Sequence, residues 1–274
     1  MKSTIFKVKK VSQVLWSKST DVALASAVHP FTLSLLRGTL HESAFRSYIS
    51  QDAFYLQSFK RAYGRAVEIC SKTGDRNLTK FKTLQECVET ELILHAEYSK
   101  KLSINLETVV PLPQTELYTQ FLNDASKKSI AHICASMTPC MSLYAFLGRR
   151  GVEHGYNPQT YSRWLQEYSS SEFQQLAADL ESLLDHYAEK EGLDHTELLP
   201  VYSKALELEY SFFAAHQVPS WNGVKPSIVM VDFDQTLTRT DTIGLIVKEA
   251  LKAQNRGSEI HKELVSNYVS RNNE

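Results

Sequence analysis

No run of apolar residues in these 274 amino acids approaches the length needed to cross a bilayer, and no signal peptide is visible. Membrane-spanning and secretory readings are therefore set aside. Glycine and proline are scarce, at 10 and 8 copies, and β-like alternation is rare, which argues against a turn-rich all-β chain. The four cysteines (Cys70, Cys87, Cys134, Cys140) form no CxxC pair, so zinc ligation is poorly supported, and without a secretory signal disulfides are not expected. Reduced thiols remain, and a reduced thiol can be a nucleophile. Charge is nearly balanced, 30 basic against 31 acidic residues for a formal net charge of −1, so no global field attracts nucleic acid or an anionic membrane. Basic residues do gather at the start: Lys2, Lys7, Lys9, Lys10 and Lys18 precede the first acid, Asp21. Lacking arginine and an amphipathic run, that stretch reads as a solvated tail (residues 1–11) and the protein as cytoplasmic. A transit peptide for mitochondrion or plastid is the alternative.

What is present is helical periodicity. It predicts helices over residues 11–27, a short one after His29-Pro30 through Leu36, a pair at 42–49 and 52–71, and others at 77–102, 114–125, 128–149, 158–168, 172–190 and 196–216. Pro111-Leu112-Pro113 breaks the chain between two of them, and the segment 128–149, apolar on most sides, is expected to lie centrally. Hydrophobic residues at 43% suffice for a core, and the simplest architecture is an all-α helical bundle. At residues 217–226 two prolines and Gly223 mark a linker. Ser227-Ile228-Val229-Met230-Val231-Asp232 then reads as a buried parallel strand opening a short, truncated α/β segment.

Three places could carry chemistry. Pro139 suits a first helical turn, which would put Cys140 at a helix N-terminus where the macrodipole favours a thiolate, with Tyr144 on the same face. A buried structural cysteine is the plainer alternative. Asp52 and Tyr55, three apart, share a helix face and can point together into a pocket, unless Asp52 is an N-cap. Glu209 sits among apolar neighbours, where a desolvated carboxyl has a raised pKa suited to acid work; an exposed acid on an amphipathic helix is the alternative. Phe212 and Phe213 read as core. His29 before Pro30 reads as a capping or core histidine, since no second metal ligand stands at a recognisable spacing.

Taken in order, His29-Pro30-Phe31, Gln51-Asp52-x-x-Tyr55, Glu91-x-x-x-His95, Tyr118-Thr119, Pro139-Cys140-x-x-x-Tyr144 and Glu209-Tyr210-x-Phe212 resemble the TenA family of thiamin-salvage enzymes over about 200 residues, 12–216. The resemblance implies a haem-oxygenase-like helical bundle, assembled as a homotetramer, that uses no cofactor. With Cys140 present, the chain resembles the cysteine-bearing branch. There a hydrolase converts 4-amino-5-aminomethyl-2-methylpyrimidine to the hydroxymethylpyrimidine and ammonia, and also cleaves thiamin. The implied partner is thus a small aminopyrimidine or thiamin. Implied roles are Cys140 as nucleophile, Glu209 as proton donor to the ring, Asp52 as partner of the aminopyrimidine edge, and Tyr55, Tyr118, Tyr144 and Tyr168 as residues that stack on the ring or orient the cysteine. The chain departs from the bacterial pattern at Met141 and Ser142, where aromatics are usual, and around Tyr168, where glycines are missing.

Val229-Met230-Val231-Asp232-Phe233-Asp234-Gln235-Thr236 resembles the first motif of haloacid dehalogenase-like phosphatases, in which Asp232 would attack phosphorus, Asp234 would act as acid/base, and both would hold Mg²⁺. The order of the two resemblances is that of bifunctional plant proteins of thiamin metabolism. Residues 227–274 lack the later motifs, so the segment reads as incomplete, and no thiamin monophosphate hydrolysis is expected from this chain unless the natural chain is longer. A non-catalytic pyrimidine- or thiamin-binding protein is the rival of another class.

Overall fold

The computed structural model describes residues 9–216, and all ordered structure among them is helical. The expected all-α helical bundle is what is observed. The predicted strand and its helices, with Asp232 and Asp234, lie outside the described residues.

Ten α-helices follow one another: α1 Val11–Lys18, α2 Thr20–Ala27, α3 Pro30–Leu36, α4 Glu42–Thr73, α5 Leu78–Lys101, α6 Pro113–Ser126, α7 Ile130–Glu153, α8 Ser162–Ser169, α9 Ser171–Glu191 and α10 His195–Ala215. The predicted helix 11–27 is broken at Ser19, whose backbone leaves the helical region (φ −117°, ψ 11°) and whose hydroxyl bonds Ser203 at 3.0 Å. The predicted pair 42–49 and 52–71 is a single 32-residue helix, α4. Nothing at Ser50-Gln51 breaks it, and Gln51 turns its amide to another task. Its Nε2 donates to the Val110 carbonyl at 3.0 Å, and its Oε1 accepts from the Leu112 N–H and the Thr115 hydroxyl, each at 2.8 Å. That one side chain ties the α5–α6 connection and the start of α6 to α4.

The helix ends follow from local chemistry. His29 caps α3, with Nδ1 accepting from the Phe31 N–H at 3.2 Å and Pro30 in the first turn. Gly74 and Gly192 close α4 and α9 in the left-handed region, at φ 63° and 68°. Asp194 and Glu197 form a capping box at α10.

As expected, α7 is central: it packs on α4, α6, α8, α9 and α10. Its composition alone would suit a bilayer, with a mean hydropathy of 1.4 over an 18-residue window, so the expectation that no stretch comes near that length needs correcting. The physical reason is burial within the protein, since 83% of that window is covered by the other helices.

Candidate active site

One cavity of about 390 Å³ runs into the bundle between α4, α5, α6, α7, α8, α9 and α10. Asp52, Tyr55, Tyr118, Cys140, Tyr144, Tyr168 and Glu209, which the sequence singled out, all line it. They come from five helices, and helical spacing explains how each pair reaches the same wall. Asp52 and Tyr55 are three apart on α4, and Cys140 and Tyr144 are four apart on α7.

The placement of Cys140 differs from expectation. Pro139 lies deep inside α7 and not in its first turn, so Cys140 has no helix N-terminus beneath it. The proline costs α7 the hydrogen bond its N–H would give to the Ala135 carbonyl. The thiol is 8% exposed, and burial together with the nearby Glu209 carboxyl pushes its pKa well above the ordinary value, while the Tyr55 hydroxyl acts in the opposite sense. The resting cysteine is therefore a neutral thiol. A thiolate needs a proton acceptor at the moment of reaction, not a macrodipole.

Glu209 is the buried carboxyl nearest in influence to that thiol. It is 2% exposed, and the Tyr118 hydroxyl donates to its Oε1 at 2.7 Å. Burial drives its pKa up to about 7, reinforced by the charge of Asp52 and partly offset by hydrogen bonds from Tyr118, Cys140 and Tyr55. The exposed-acid alternative for Glu209 is excluded by its burial. The Tyr55 hydroxyl lies 3.5 Å from that of Tyr118, so two phenols, a thiol and a carboxyl form one connected polar group. Burial keeps all five lining tyrosines, Tyr63 included, as neutral phenols, their pKa values raised well above the ordinary one.

Asp52 is not a helix cap; it is in the body of α4, and its Oδ2 lies 3.1 Å from His95 Nε2. On the far side of the cavity Tyr144, Tyr168 and Trp164 form an edge-to-face and tilted aromatic cluster, with Tyr168 centred 4.7 Å from each of the other two. Tyr168 reaches the cavity because Gly148 on α7 lets the end of α8 press against it. A Cβ on Gly148 would collide with the Tyr168 carbonyl and come within 2.7 Å of the Ser169 amide. Gln174 pins the same carbonyl, donating to it at 2.8 Å. A glycine does shape this region, on the helix that receives Tyr168 and not in the segment that carries it.

Several cavity residues went unassigned in the sequence. Met141 lines the wall, whereas Ser142 turns away and donates to Glu181 at 2.8 Å, so only the first of the two departures from the bacterial pattern touches the site. Phe212, read as core, is also cavity wall. Glu91 lines it too, with its pKa pushed up to about 7 by burial, then by the charges of Asp52 and Glu167. The Glu91-x-x-x-His95 spacing was the signal for this pair, but spacing alone does not say which residue it faces. Among the described residues no three His, Cys, Asp or Glu side chains are arranged to hold a metal ion. A buried thiol and a titratable carboxyl thus lie in one aromatic-walled cavity, an arrangement suited to covalent attack on a flat heterocycle.

The bifunctional TH2 protein, mitochondrial, of Arabidopsis thaliana is 29% identical over 92% of this chain, which spans about half (47%) of that protein's length. An aminopyrimidine aminohydrolase of Halalkalibacterium halodurans is also 29% identical, over 76% of this chain and 96% of its own. Among solved structures, a TenA family transcription regulator from Silicibacter sp. TM1040 superposes with a TM-score of 0.68 at 25% identity, covering 76% of this chain and 96% of that one. A TenA homologue from Pyrococcus furiosus, 17% identical, shares the fold with a TM-score of 0.69, over 76% of this chain and 100% of that one. Residues 16–218 match the TENA/THI-4/PQQC family, and the chain belongs to that family.

Proposed function

We propose that this chain is a cysteine-dependent hydrolase of thiamin salvage, acting on 4-amino-5-aminomethyl-2-methylpyrimidine to give 4-amino-5-hydroxymethyl-2-methylpyrimidine and ammonia, and cleaving thiamin at the same methylene. The observation that carries the reading is the contact of Cys140 with Glu209 inside the tyrosine-walled cavity. In this scheme the Cys140 sulfur bonds to a ring carbon while its proton passes to the Glu209 carboxylate, and Glu209 hands a proton to a ring nitrogen. With aromaticity broken, the amine, which enters as the protonated ammonium, leaves the methylene as ammonia. Water adds to the exocyclic carbon and releases one proton to solvent, the ring nitrogen returns its proton to Glu209, and expulsion of the thiolate, which recovers that proton from Glu209, restores the aromatic ring. A Glu209 pKa of about 7 suits a group that both accepts and donates within one turnover. Asp52 accepts from the aminopyrimidine edge, Tyr55 donates toward the sulfur anion, Tyr118 steadies Glu209, and Tyr144 and Tyr168 stack on the ring. No step draws on a cofactor.

The test is ammonia release from the aminomethylpyrimidine by purified protein, beside Cys140→Ala, with thiamin as second substrate. Turnover that disappears in the variant supports the reading. A folded wild-type protein that binds the pyrimidine but turns over neither substrate sinks it. That second outcome would leave a pyrimidine-binding protein, a reading favoured by one observation: the thiol is neutral at rest.

For residues 227–274 we propose the opening of a haloacid dehalogenase-like phosphatase, with Asp232 as nucleophile and Asp234 as acid/base around Mg²⁺. The Asp-x-Asp-x-Thr spacing and the 92% coverage against the Arabidopsis protein support that reading. Phosphate release from thiamin monophosphate by a chain extended to the full length of that relative, and its loss in Asp232→Asn, would test it.

A further inference from the structure

Behind the cavity wall, Asp52, which lines the cavity, meets His95, which does not, and each side chain bonds only the other. His95 Nε2 lies 3.1 Å from Asp52 Oδ2, and among the described residues neither side chain makes another hydrogen bond. His95 is 6% exposed and Asp52 9%, so the bond is shielded from bulk water. Histidine buried for structural reasons usually bonds a backbone carbonyl; here both ring nitrogens are away from backbone groups, and Nδ1 has no partner. Because the contact uses Oδ2, the other carboxylate oxygen has no protein partner on a side chain that lines the cavity.

We infer that His95 is a positioning residue: by donating from Nε2 it fixes the Asp52 carboxylate so that the second oxygen faces the amidine-like edge of a bound aminopyrimidine. The inference rests on the reaction proposed above and extends it to a residue outside the cavity's reacting wall. Helix register supports it. α4 and α5 run antiparallel, with Lys60 bonded to Glu89 at 3.0 Å one side of the pair's position, so the two backbones hold Asp52 and His95 at a set separation. Burial opposes a proton on the ring, yet the bond and charge of Asp52 outweigh it and hold the His95 pKa above its ordinary value, which strengthens Nε2 as a donor. Glu91, one turn earlier on α5, adds in the same direction.

The experiment is a double-mutant cycle read by calorimetric binding of 4-amino-5-hydroxymethyl-2-methylpyrimidine, with steady-state kinetics on the aminomethyl substrate. The variants are His95→Leu, His95→Asn, His95→Gln, Asp52→Asn and His95→Leu combined with Asp52→Asn. Losing one oriented, charge-assisted contact should weaken binding by roughly tenfold or more in His95→Leu, with KM rising more than kcat falls. His95→Gln keeps a donor near the Nε2 position and should stay within about threefold of wild type, whereas the shorter His95→Asn should behave like His95→Leu and replaces it if that variant does not fold. In the Asp52→Asn background, adding His95→Leu should change binding by less than about twofold. Additive losses, or equal losses in the Gln and Leu variants with lowered melting temperatures, would overturn the positioning role. Failure of the wild type to bind the pyrimidine at all would instead bring down the proposed reaction, and this inference with it.

Discussion

Replacing Glu209 with Gln isolates the cost of burying that carboxyl, and the cost depends on pH in a calculable way. In the folded protein Glu209 holds its proton up to about pH 7, against an ordinary value of 4.5 once the chain unfolds. Between those two values the folded state binds one more proton than the unfolded state, so stability falls as pH rises through the window and levels off above about 7. Each pKa unit corresponds to about 1.36 kcal/mol, so a gap of 2.5 units (about 7 minus 4.5) gives roughly 3.4 kcal/mol, an upper figure because Cys140, Tyr118 and Tyr55 share the charge. The amide has nearly the same shape, its oxygen can still accept from Tyr118, and it does not titrate. The assay is urea unfolding of wild type and Glu209→Gln from pH 4.5 to 8.5. The variant should be close to wild type at the acid end and gain about 2–3 kcal/mol on it by pH 8, with the change centred between 5 and 7. Glu91 titrates in the same range in both proteins and cancels in the difference. A difference that stays flat across this range would refute the idea that burial sets the ionisation of Glu209.

The same carboxyl should appear in kinetics. If it accepts the thiol proton, kcat/KM rises with pH through about 7, and the rise disappears in Glu209→Gln; a profile that falls through pH 7 would mean that Glu209 starts protonated. Gly148→Ala should cost about 1–3 kcal/mol by displacing the Tyr168 carbonyl, and should raise KM while the Cys140 thiol remains reactive; unchanged melting and KM would show that the end of α8 yields freely. We propose a homotetramer, for which light scattering should report four times 31.1 kDa; a monomer at micromolar concentration would contradict it.

The sequence was most informative where periodicity and punctuation coincided. Helix α7 was legible as the central element because apolar residues cover most of its surface, and α6 because the Pro111-Leu112-Pro113 break announced its start. The register of the site was legible too, since spacings of three and four place side chains on one face whatever surrounds the helix. What could not be read were properties set by distant residues. Pro139 looks the same at a helix start and in its interior; only the packed neighbours that hold α7 together through the proline decide between them. The ionisation of Cys140 depends on burial and on Glu209 and Tyr55, remote in sequence, which no local reading of the Pro139-Cys140 segment could supply. His95 was quoted as part of a spacing without a task, because its partner lies 43 positions away on another helix. Gln51 was similarly opaque: a polar residue in mid-helix reads as solvent-facing until the loop it holds is seen.

The cavity is walled entirely by helices, drawn from seven of the ten, and no connecting loop supplies any of its assigned side chains. An occupant therefore touches most of the bundle at once, and the free energy of occupying it cannot be separated from that of keeping the helices together. At a ligand concentration one hundred times its dissociation constant, about 2.7 kcal/mol is added to the unfolding free energy of the whole domain. Depletion of the small molecule would then act on the amount of folded protein as well as on flux, making the domain's abundance a gauge of its own supply.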